Sequence, residues 1–308
     1  MTFSTEAKNE ICAQGIDDCC VAAELVALTF SCGSISLSAA GMHIKYNTEN
    51  MLTAKRIFST VTRILKIDAG VEVKESQLKK KHMYTIDVPD AALLLSAMEL
   101  STGLLAEEKI PAELTGKRCC KIAFLRGAFL GCGTVSDPKK NYHLEFVLRS
   151  ERIADKVLQL LAFFKVSAKK VLRKQSFVVY LSEGDSIVSL LALIGAHTSI
   201  LNFENVRILK EMRNNVNRAV NCETANINKT VNAALKQIEN IRIIGRHMDM
   251  KYLSPALREA AELRISNPEA TLQELCELSG TTKSGMNHRF RKLNQIAESF
   301  AHEKEDIL

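Results

Sequence analysis

The sequence predicts an α+β domain with internal pseudo-twofold symmetry, followed by a helical linker and an all-α domain. Two similar stretches lie one hundred residues apart, LVALTFSCGSISL from Leu25 and LRGAFLGCGTVSD from Leu125. After each stretch the apolar residues alternate as in β-hairpins and then recur at helical spacing. The last part of the chain carries only helical patterns, so we expect a separate all-α domain there.

Each repeat is predicted to open with an apolar helix that ends in a Cys-Gly pair, at Cys32-Gly33 and at Cys132-Gly133. We expect the glycine to supply the positive φ that turns the chain out of the helix. Small residues recur four positions apart and therefore share one face of each helix. This face would let the two helices pack closely, through Ala27, Ser31, Gly127 and Gly131.

The remaining elements follow in the same order in both halves, after a short amphipathic helix at residues 3–14. For the first half, about 19–100, we predict a helix at 19–32, strands at 33–38 and 42–47, a helix at 51–66, strands at 71–76 and 83–88, and a helix at 90–100. For the second half, about 119–196, we predict a helix to 131, strands at 133–135 and 142–148, a helix at 152–164, strands at 166–173 and 177–181, and a helix at 186–196. Each half therefore has the predicted element order αββαββα, and we expect residues 1–198 to form one domain.

The stretch LRGAFLGCG, residues 125–133, resembles the LAGLIDADG helix of homing endonucleases. The resemblance implies two such helices paired about a pseudo-twofold axis, and two sheets whose open faces form a saddle along DNA. It also implies a metal-binding acid at the end of each helix, but the matching positions are Cys32 and Cys132. Because hard ions such as Mg²⁺ prefer oxygen ligands to thiols, we predict no catalytic residue and no enzyme activity.

Basic residues cluster in the hairpins that would border such a saddle. One cluster could be a solvated turn, but three in comparable places favour contacts with the phosphates of a duplex. The candidate residues are Lys79, Lys80, Lys81, Lys139, Lys140, Lys169, Lys170, Arg173 and Lys174.

Residues 199–250 are rich in asparagine and are predicted to form a helical linker. On a helix, Asn214, Asn217, Arg218 and Asn221 form one polar stripe. The stripe is either an exposed linker face or a set of groups that bind phosphates or a neighbouring domain. The run NRAVNCETAN, residues 217–226, closely resembles a segment typical of the WhiA family, which joins a degenerate LAGLIDADG domain to a helix-turn-helix.

Residues 251–308 are predicted to form a helix-turn-helix domain. A helix begins at Ser254-Pro255 and ends before Asn267-Pro268. A capping box, Thr271 to Glu274, starts the next helix, whose core face would be Leu272, Leu275, Cys276 and Leu278. A tight turn at 279–281 leads to a longer helix with an apolar stripe of Met286, Phe290, Leu293, Ala297 and Phe300.

The polar side of that last helix is typical of a DNA recognition helix. No acid occurs between Thr281 and Ala297, whereas a solvated helix normally mixes charges of both signs. The first turns of a recognition helix face base edges in the major groove. The predicted DNA contacts are Lys283, Ser284, Asn287, His288, Arg289, Arg291 and Lys292.

The composition is that of an ordinary globular protein, with 308 residues, 46% hydrophobic residues and a net charge of +6. No apolar run is long enough for a membrane span, so we predict a cytoplasmic protein. The predicted DNA binding would associate it with the nucleoid. Nine cysteines favour reduced thiols over a disulfide framework. Cys19-Cys20 and Cys119-Cys120 are adjacent pairs without Cys-x-x-Cys spacing, so we predict no metal site and no cofactor.

Three functions remain open at this level. The first is a non-catalytic protein that binds double-stranded DNA and regulates transcription. The resemblance to the WhiA family implies roles in cell division, chromosome segregation and sporulation. The second is an active LAGLIDADG endonuclease, which Cys32 and Cys132 disfavour. The third is a ligand-sensing or protein-interaction module that contacts DNA only through its helix-turn-helix, with protein partners unknown.

Overall fold

A computed structural model describes residues 1–38, 41–76, 81–101, 103 and 109–302. The chain forms two compact units, Met1–Lys210 and Glu211–Leu308. Within the described part, no helix is both long enough and apolar enough to cross a membrane.

The first half of the N-terminal unit folds as the sequence predicts. Helix α1, Phe3–Cys12, precedes the motif helix α2, Asp18–Cys32. Strands β1 (Gly33–Ser38) and β2 (Gly41–Thr48), helix α3 (Met51–Ser59), strands β3 (Gly70–Ser76) and β4 (Lys81–Val88) and helix α4 (Ala91–Ala97) follow. A π-helical turn, Thr60–Ile64, extends α3. The antiparallel sheet has the strand order β1-β2-β4-β3.

The second half repeats this topology. After a 3-10 turn at Glu113–Thr115 come the motif helix α5 (Arg118–Cys132), strands β5 (Gly133–Val135) and β6 (Leu144–Leu148), helix α6 (Glu151–Phe163), strands β7 (Lys169–Arg173) and β8 (Ser176–Leu181) and helix α7 (Gly184–Ile194). The sheet order is β5-β6-β8-β7, the counterpart of the first sheet. The predicted pseudo-twofold αββαββα fold is therefore confirmed.

One face of each sheet is buried against helices. In the first sheet Ile44, Tyr46 and Ile86 are fully buried, and in the second Leu144 and Phe146 are. Side chains alternate across a strand, so the residues between these positions lie on the opposite side. We call that side the open face of each sheet.

The two motif helices pack side by side through their small residues, as predicted. A Cβ atom added to Gly127 would lie 2.3 Å from the carbonyl oxygen of Glu24. One added to Gly131 would lie 2.8 Å from the Cβ of Ser31. Only glycine permits this approach, because real Cβ atoms do not come so near to other heavy atoms.

The expected positive φ at the helix ends is wrong. Gly33 has φ −82° and Gly133 has φ −74°, both extended conformations open to any residue. Glycine is required there for space, since a Cβ at Gly33 would lie 2.4 Å from the carbonyl oxygen of Thr29. At Gly133 it would meet the backbone of Phe129 at 2.7 Å. Each strand thus starts against the last turn of its own helix.

Helix α8, His197–His247, begins in the N-terminal unit and ends in the C-terminal unit. Its start is tied to α1, because the Glu10 carboxylate accepts hydrogen bonds from the backbone amides of Thr198 and Ser199. Helices α9 (Pro255–Ser266), α10 (Leu272–Ser279) and α11 (Lys283–His302) follow a 3-10 turn at Met250–Tyr252.

The core of the C-terminal unit joins the end of α8 to α9, α10 and α11. Ile241 and Ile244 pack with Leu275, Met286 and Phe290, so this core starts before residue 251. Leu278, predicted as a core residue, is instead 60% exposed. Leu278 is the second-last residue of α10, which ends at Ser279. The buried residue of this helix is Leu275, one turn earlier.

Candidate nucleic-acid interface

The turn between α10 and α11 is fixed by local capping. At the start of α10 the Thr271 hydroxyl accepts from the Glu274 amide, and the Glu274 carboxylate accepts from the Thr271 amide. This is the capping box that the sequence predicts. Gly280 ends α10 with φ +60°, a left-handed conformation that suits glycine. The Thr282 hydroxyl then accepts from the Gly285 amide at the start of α11.

Helix α11 has an apolar side in the core and a polar side in solvent. Met286, Phe290, Leu293 and Ala297 are buried. The exposed residues of its first three turns are Lys283, Ser284, Asn287, His288, Arg291 and Lys292. All of these side chains are neutral or basic, so this polar side offers hydrogen bonds and positive charge together.

Arg289 differs from its neighbours. Its guanidinium lies 2.8 Å from the carboxylate of Glu259 on α9, and the Arg289 side chain is only 21% exposed. This ion pair joins α9 to α11 and neutralises the charge that a phosphate contact would use. The sequence pattern missed it because the partner lies thirty residues away.

Arg264 packs against the buried side of α11, and the sequence pattern did not single it out. Its side chain is buried, donates to the Gln237 side chain at 2.9 Å and to the Ala270 carbonyl at 2.6 Å, and lies over the ring of Phe290. Burial lowers the pKa of its guanidinium. Arg264 therefore ties the end of α8, the turn before α10 and α11 into one unit.

The basic hairpins of the N-terminal unit are placed differently from one another. Lys139, Lys140 and Lys174 are exposed in turns, and Lys169 and Arg173 point to the open face of the second sheet. Lys79 and Lys80 lie outside the described residues, and only the backbone of Lys81, in β4, is described.

Lys170 does not reach the open face, which corrects its assignment to the saddle. It alternates with Lys169 and Val171 along β7, so its side chain points to the helix side of the sheet. Its ammonium lies 2.9 Å from Glu151 and 2.5 Å from Asp155, both on α6. These two carboxylates raise the pKa of Lys170.

Acids accompany the basic residues on the open faces. Lys45 lies 3.3 Å from Asp87, which also accepts from His43. Lys74 lies 3.2 Å from Glu72. On the second sheet Arg173 lies 3.3 Å from Glu145. Among the described residues, the open faces therefore carry mixed charge rather than a basic surface.

The positions that match the catalytic acids hold half-buried cysteines. Burial raises the pKa of Cys32 and of Cys132 to about 12, so both are neutral near pH 7. The ammonium of Lys8, on α1, lies near both thiols and donates to the Leu130 carbonyl at 3.0 Å. Sequence reasoning missed Lys8, although its position three residues before the buried Ile11, and so beside it on the helix surface, was a usable signal.

A buried carboxylate near the motif-helix contact is held by arginines. Glu24 is buried in α2, and its carboxylate accepts from the guanidinium of Arg56 at 3.0 Å and lies 3.8 Å from Arg126. Two arginines therefore neutralise this buried carboxylate. Asp137 lies in the exposed turn after β5 and accepts a hydrogen bond from the Lys139 amide.

The polar stripe of the linker lies on α8. Asn214, Asn217, Arg218 and Asn221 are all exposed and helical, on the part of α8 within the C-terminal unit. The structure thus places these four residues on one helix, as the sequence predicts, and away from the core of that unit.

A duplicated αββαββα fold joined to a helix-turn-helix defines the chain as a LAGLIDADG-like protein with a helix-turn-helix domain. Three family profiles match it: the WhiA N-terminal LAGLIDADG-like domain over residues 18–101, the WhiA LAGLIDADG-like domain over 121–213, and the WhiA C-terminal HTH domain over 216–297. The chain belongs to the WhiA family.

Curated relatives align over nearly their whole length. A protein of Alkaliphilus metalliredigens named "Probable cell division protein WhiA" is 44% identical, covering 97% of this chain and 98% of its own length. A protein of Brevibacillus brevis with the same name is 41% identical, covering 100% and 99%. The crystal structure of full-length DUF199/WhiA from Thermatoga maritima has the same fold, with a TM-score of 0.61 and 23% identity over 97% of this chain and 99% of that chain.

Proposed function

We propose that this chain is a non-catalytic protein that binds double-stranded DNA through α11 and thereby regulates transcription. One observation carries the proposal, namely the exposed side of the first three turns of α11, where every charged group is basic. A recognition helix presents its first turns to base edges in the major groove. Lys283, Ser284 and Asn287 occupy those turns.

Base contacts and phosphate contacts divide along the helix. We assign base reading to Lys283 and Asn287, since lysine recognises guanine and asparagine recognises adenine. Arg291 and Lys292, one to two turns further on, are assigned to phosphates. His288 is assigned to either kind of contact, and Arg289 to positioning, because its guanidinium is held by Glu259.

Cleavage is disfavoured by the chemistry of the helix ends. Phosphodiester hydrolysis in this fold requires carboxylates that hold a divalent metal. Two neutral thiols and an ammonium stand there, from Cys32, Cys132 and Lys8. Thiols are poor ligands for magnesium, and the side chain of a lysine supplies no carboxylate oxygen.

The saddle is proposed to add little to DNA affinity. Its described lysines and arginines lie beside carboxylates, so a duplex on this face would also approach Glu72, Asp87 and Glu145. The second sheet also presents Val147 and Val171, which are 39% and 42% exposed, on its open face. The mixed charge of the open faces therefore favours the hypothesis that the protein contacts DNA only through its helix-turn-helix.

The cellular role is proposed from the relatives. Their names refer to cell division, and we extend that process to this chain. Roles in chromosome segregation and sporulation, and association with the nucleoid, are further proposals that rest on the family resemblance.

DNA affinity of full-length variants tests the proposal. Lys283→Ala/Lys292→Ala removes two charges from α11, and Lys45→Ala/Lys74→Ala removes two from the open face of the first sheet. We expect the first double variant to lose most of the affinity and the second to resemble the parent by fluorescence anisotropy. A larger loss from the saddle variant would show that the saddle is the main DNA-binding surface.

A further inference from the structure

Four cysteines meet where the two motif helices begin. Cys19 and Cys20 lie in the first turn of α2, and Cys119 and Cys120 lie in the first turn of α5. Their four Sγ atoms all lie within 4.8 Å of one another. The separations are 3.8 Å for Cys19–Cys20, 3.8 Å for Cys19–Cys119 and 3.9 Å for Cys119–Cys120.

These separations match the edges of a tetrahedral metal thiolate. With zinc–sulfur bonds of about 2.3 Å, the sulfur atoms of a four-cysteine site lie about 3.8 Å apart. We propose that Cys19, Cys20, Cys119 and Cys120 bind one thiophilic d¹⁰ metal ion, Zn²⁺, which joins the two repeats at the start of their motif helices. Each repeat supplies two of the four ligands, so neither repeat holds the ion alone.

The surroundings suit an anionic thiolate cluster with access from solvent. Both pairs lie at helix N-termini, where the free amides and the helix dipole stabilise negative charge. Cys20 and Cys120 are buried, whereas Cys19 is exposed and Cys119 is half-buried. A metal ion can therefore enter past Cys19 and Cys119.

Cysteine binds a metal ion as a thiolate, so metal binding must displace the thiol protons. Zinc affinity should therefore rise with pH.

A disulfide and a multi-iron cluster fit the geometry less well. A disulfide needs a sulfur–sulfur distance of about 2.0 Å, and all four cysteines are free. An iron–sulfur cluster places its cysteine ligands around several metal atoms and inorganic sulfides, which requires wider spacing than one shared ion.

Sequence reasoning rejected a metal site because each adjacent pair was considered alone. Neither pair has Cys-x-x-Cys spacing, but the close packing at Gly127 and Gly131 brings the second pair to the first. The site therefore depends on the pairing of the two repeats, and the one-hundred-residue offset between the pairs was the signal available in the sequence.

Metal analysis of the full chain tests the site. The reduced protein is loaded with Zn²⁺, passed through a desalting column and analysed for metal, and Co²⁺ is used as a spectroscopic substitute. We expect one zinc per chain, and intense visible d–d bands typical of tetrahedral cobalt thiolate. Cys19→Ser/Cys119→Ser should retain no metal, whereas Cys222→Ser, at an exposed cysteine on α8, should retain one.

Alkylation of the parent chain gives a readout that needs no variant. Zinc should slow alkylation of Cys19 and Cys119 by iodoacetamide at least about tenfold while Cys222 reacts unchanged, as followed by peptide mass spectrometry. The proposal is overturned if the folded, reduced parent retains no zinc. Equal alkylation rates with and without zinc, or a Cys19–Cys119 disulfide in place of bound metal, would overturn it as well.

Discussion

The ammonium of Lys8 donates a hydrogen bond to the carbonyl oxygen of Leu130, at a distance of 3.0 Å. Leu130 lies in the last turn of α5, two residues before Cys132. The carbonyl end of a helix attracts positive charge and hydrogen-bond donors, and the amine of Lys8 supplies a donor there, near Cys32 and Cys132.

The burial of Lys8 predicts a dependence of stability on pH. Burial lowers its pKa from the ordinary value of 10.5, so the unfolded chain binds this proton more tightly than the folded chain. The contribution of Lys8 to stability should therefore rise as the pH increases from the lowered pKa toward 10.5. The slope of stability against pH should be less positive in Lys8→Met than in the parent, because the two chains share every other titrating group. Urea unfolding at a series of pH values measures it. Lys55→Met, at an exposed lysine, is the control, and an unchanged pH slope in Lys8→Met would show that Lys8 is not desolvated.

The same arrangement predicts that the protein does not cut DNA. Supercoiled plasmid incubated with the full chain and Mg²⁺ or Mn²⁺ should remain intact, because neutral thiols and an ammonium do not hold a catalytic divalent ion. Agarose gels measure nicking. Metal-dependent nicking that disappears in Cys32→Ser or Cys132→Ser would contradict this interpretation.

The contact between the motif helices predicts a large effect of one methyl group. Gly127→Ala would place a Cβ 2.3 Å from the Glu24 carbonyl oxygen, which is backbone and has little freedom to move. We expect a loss of about 1–3 kcal/mol in the free energy of unfolding, and Gly127→Leu should lose more. Gly15→Ala, with open space around its Cβ, is the matched control. Equal melting temperatures for Gly127→Ala and the parent would show that the helices do not pack in this way.

Elements set by local patterns could be predicted from the sequence. The repeat at Leu25 and Leu125, the alternation in the hairpins and the capping box at Thr271 each depend on neighbouring residues, and the structure has the corresponding elements. The small-residue face also follows from spacing within one helix.

Features that depend on a distant partner could not be predicted in this way. Arg289 pairs with Glu259, Lys170 with Asp155, and Lys8 with Leu130, and in no case does the local pattern name the partner. The predicted role of Gly33 was wrong for a local reason, since its need for space comes from Thr29, four residues earlier in the chain. These contacts decide which basic residues are available to bind DNA.

The Arg289–Glu259 ion pair predicts unequal effects of two neighbouring cations on DNA binding. Lys292→Ala should reduce the slope of log affinity against log salt by about one unit, as expected for a phosphate contact. Arg289→Ala should reduce it much less, because Glu259 already neutralises that guanidinium. DNA affinity measured over a salt series gives both slopes. A full unit lost in Arg289→Ala would show that DNA displaces the Glu259 contact.

The most direct test of α11 as the reader is the affinity of single alanine variants for two duplexes. The full-length parent first selects a preferred duplex from random sequences, and fluorescence anisotropy then compares that duplex with a scrambled one. Lys283→Ala and Asn287→Ala should each lose about 1–3 kcal/mol on the preferred duplex and little on the scrambled one, whereas Lys292→Ala should weaken both equally. Gln295→Ala, on an exposed side of the same helix, should bind like the parent. Parental affinity of Lys283→Ala, Asn287→Ala and Lys292→Ala on both duplexes would contradict the assignment of α11 as the DNA-reading helix.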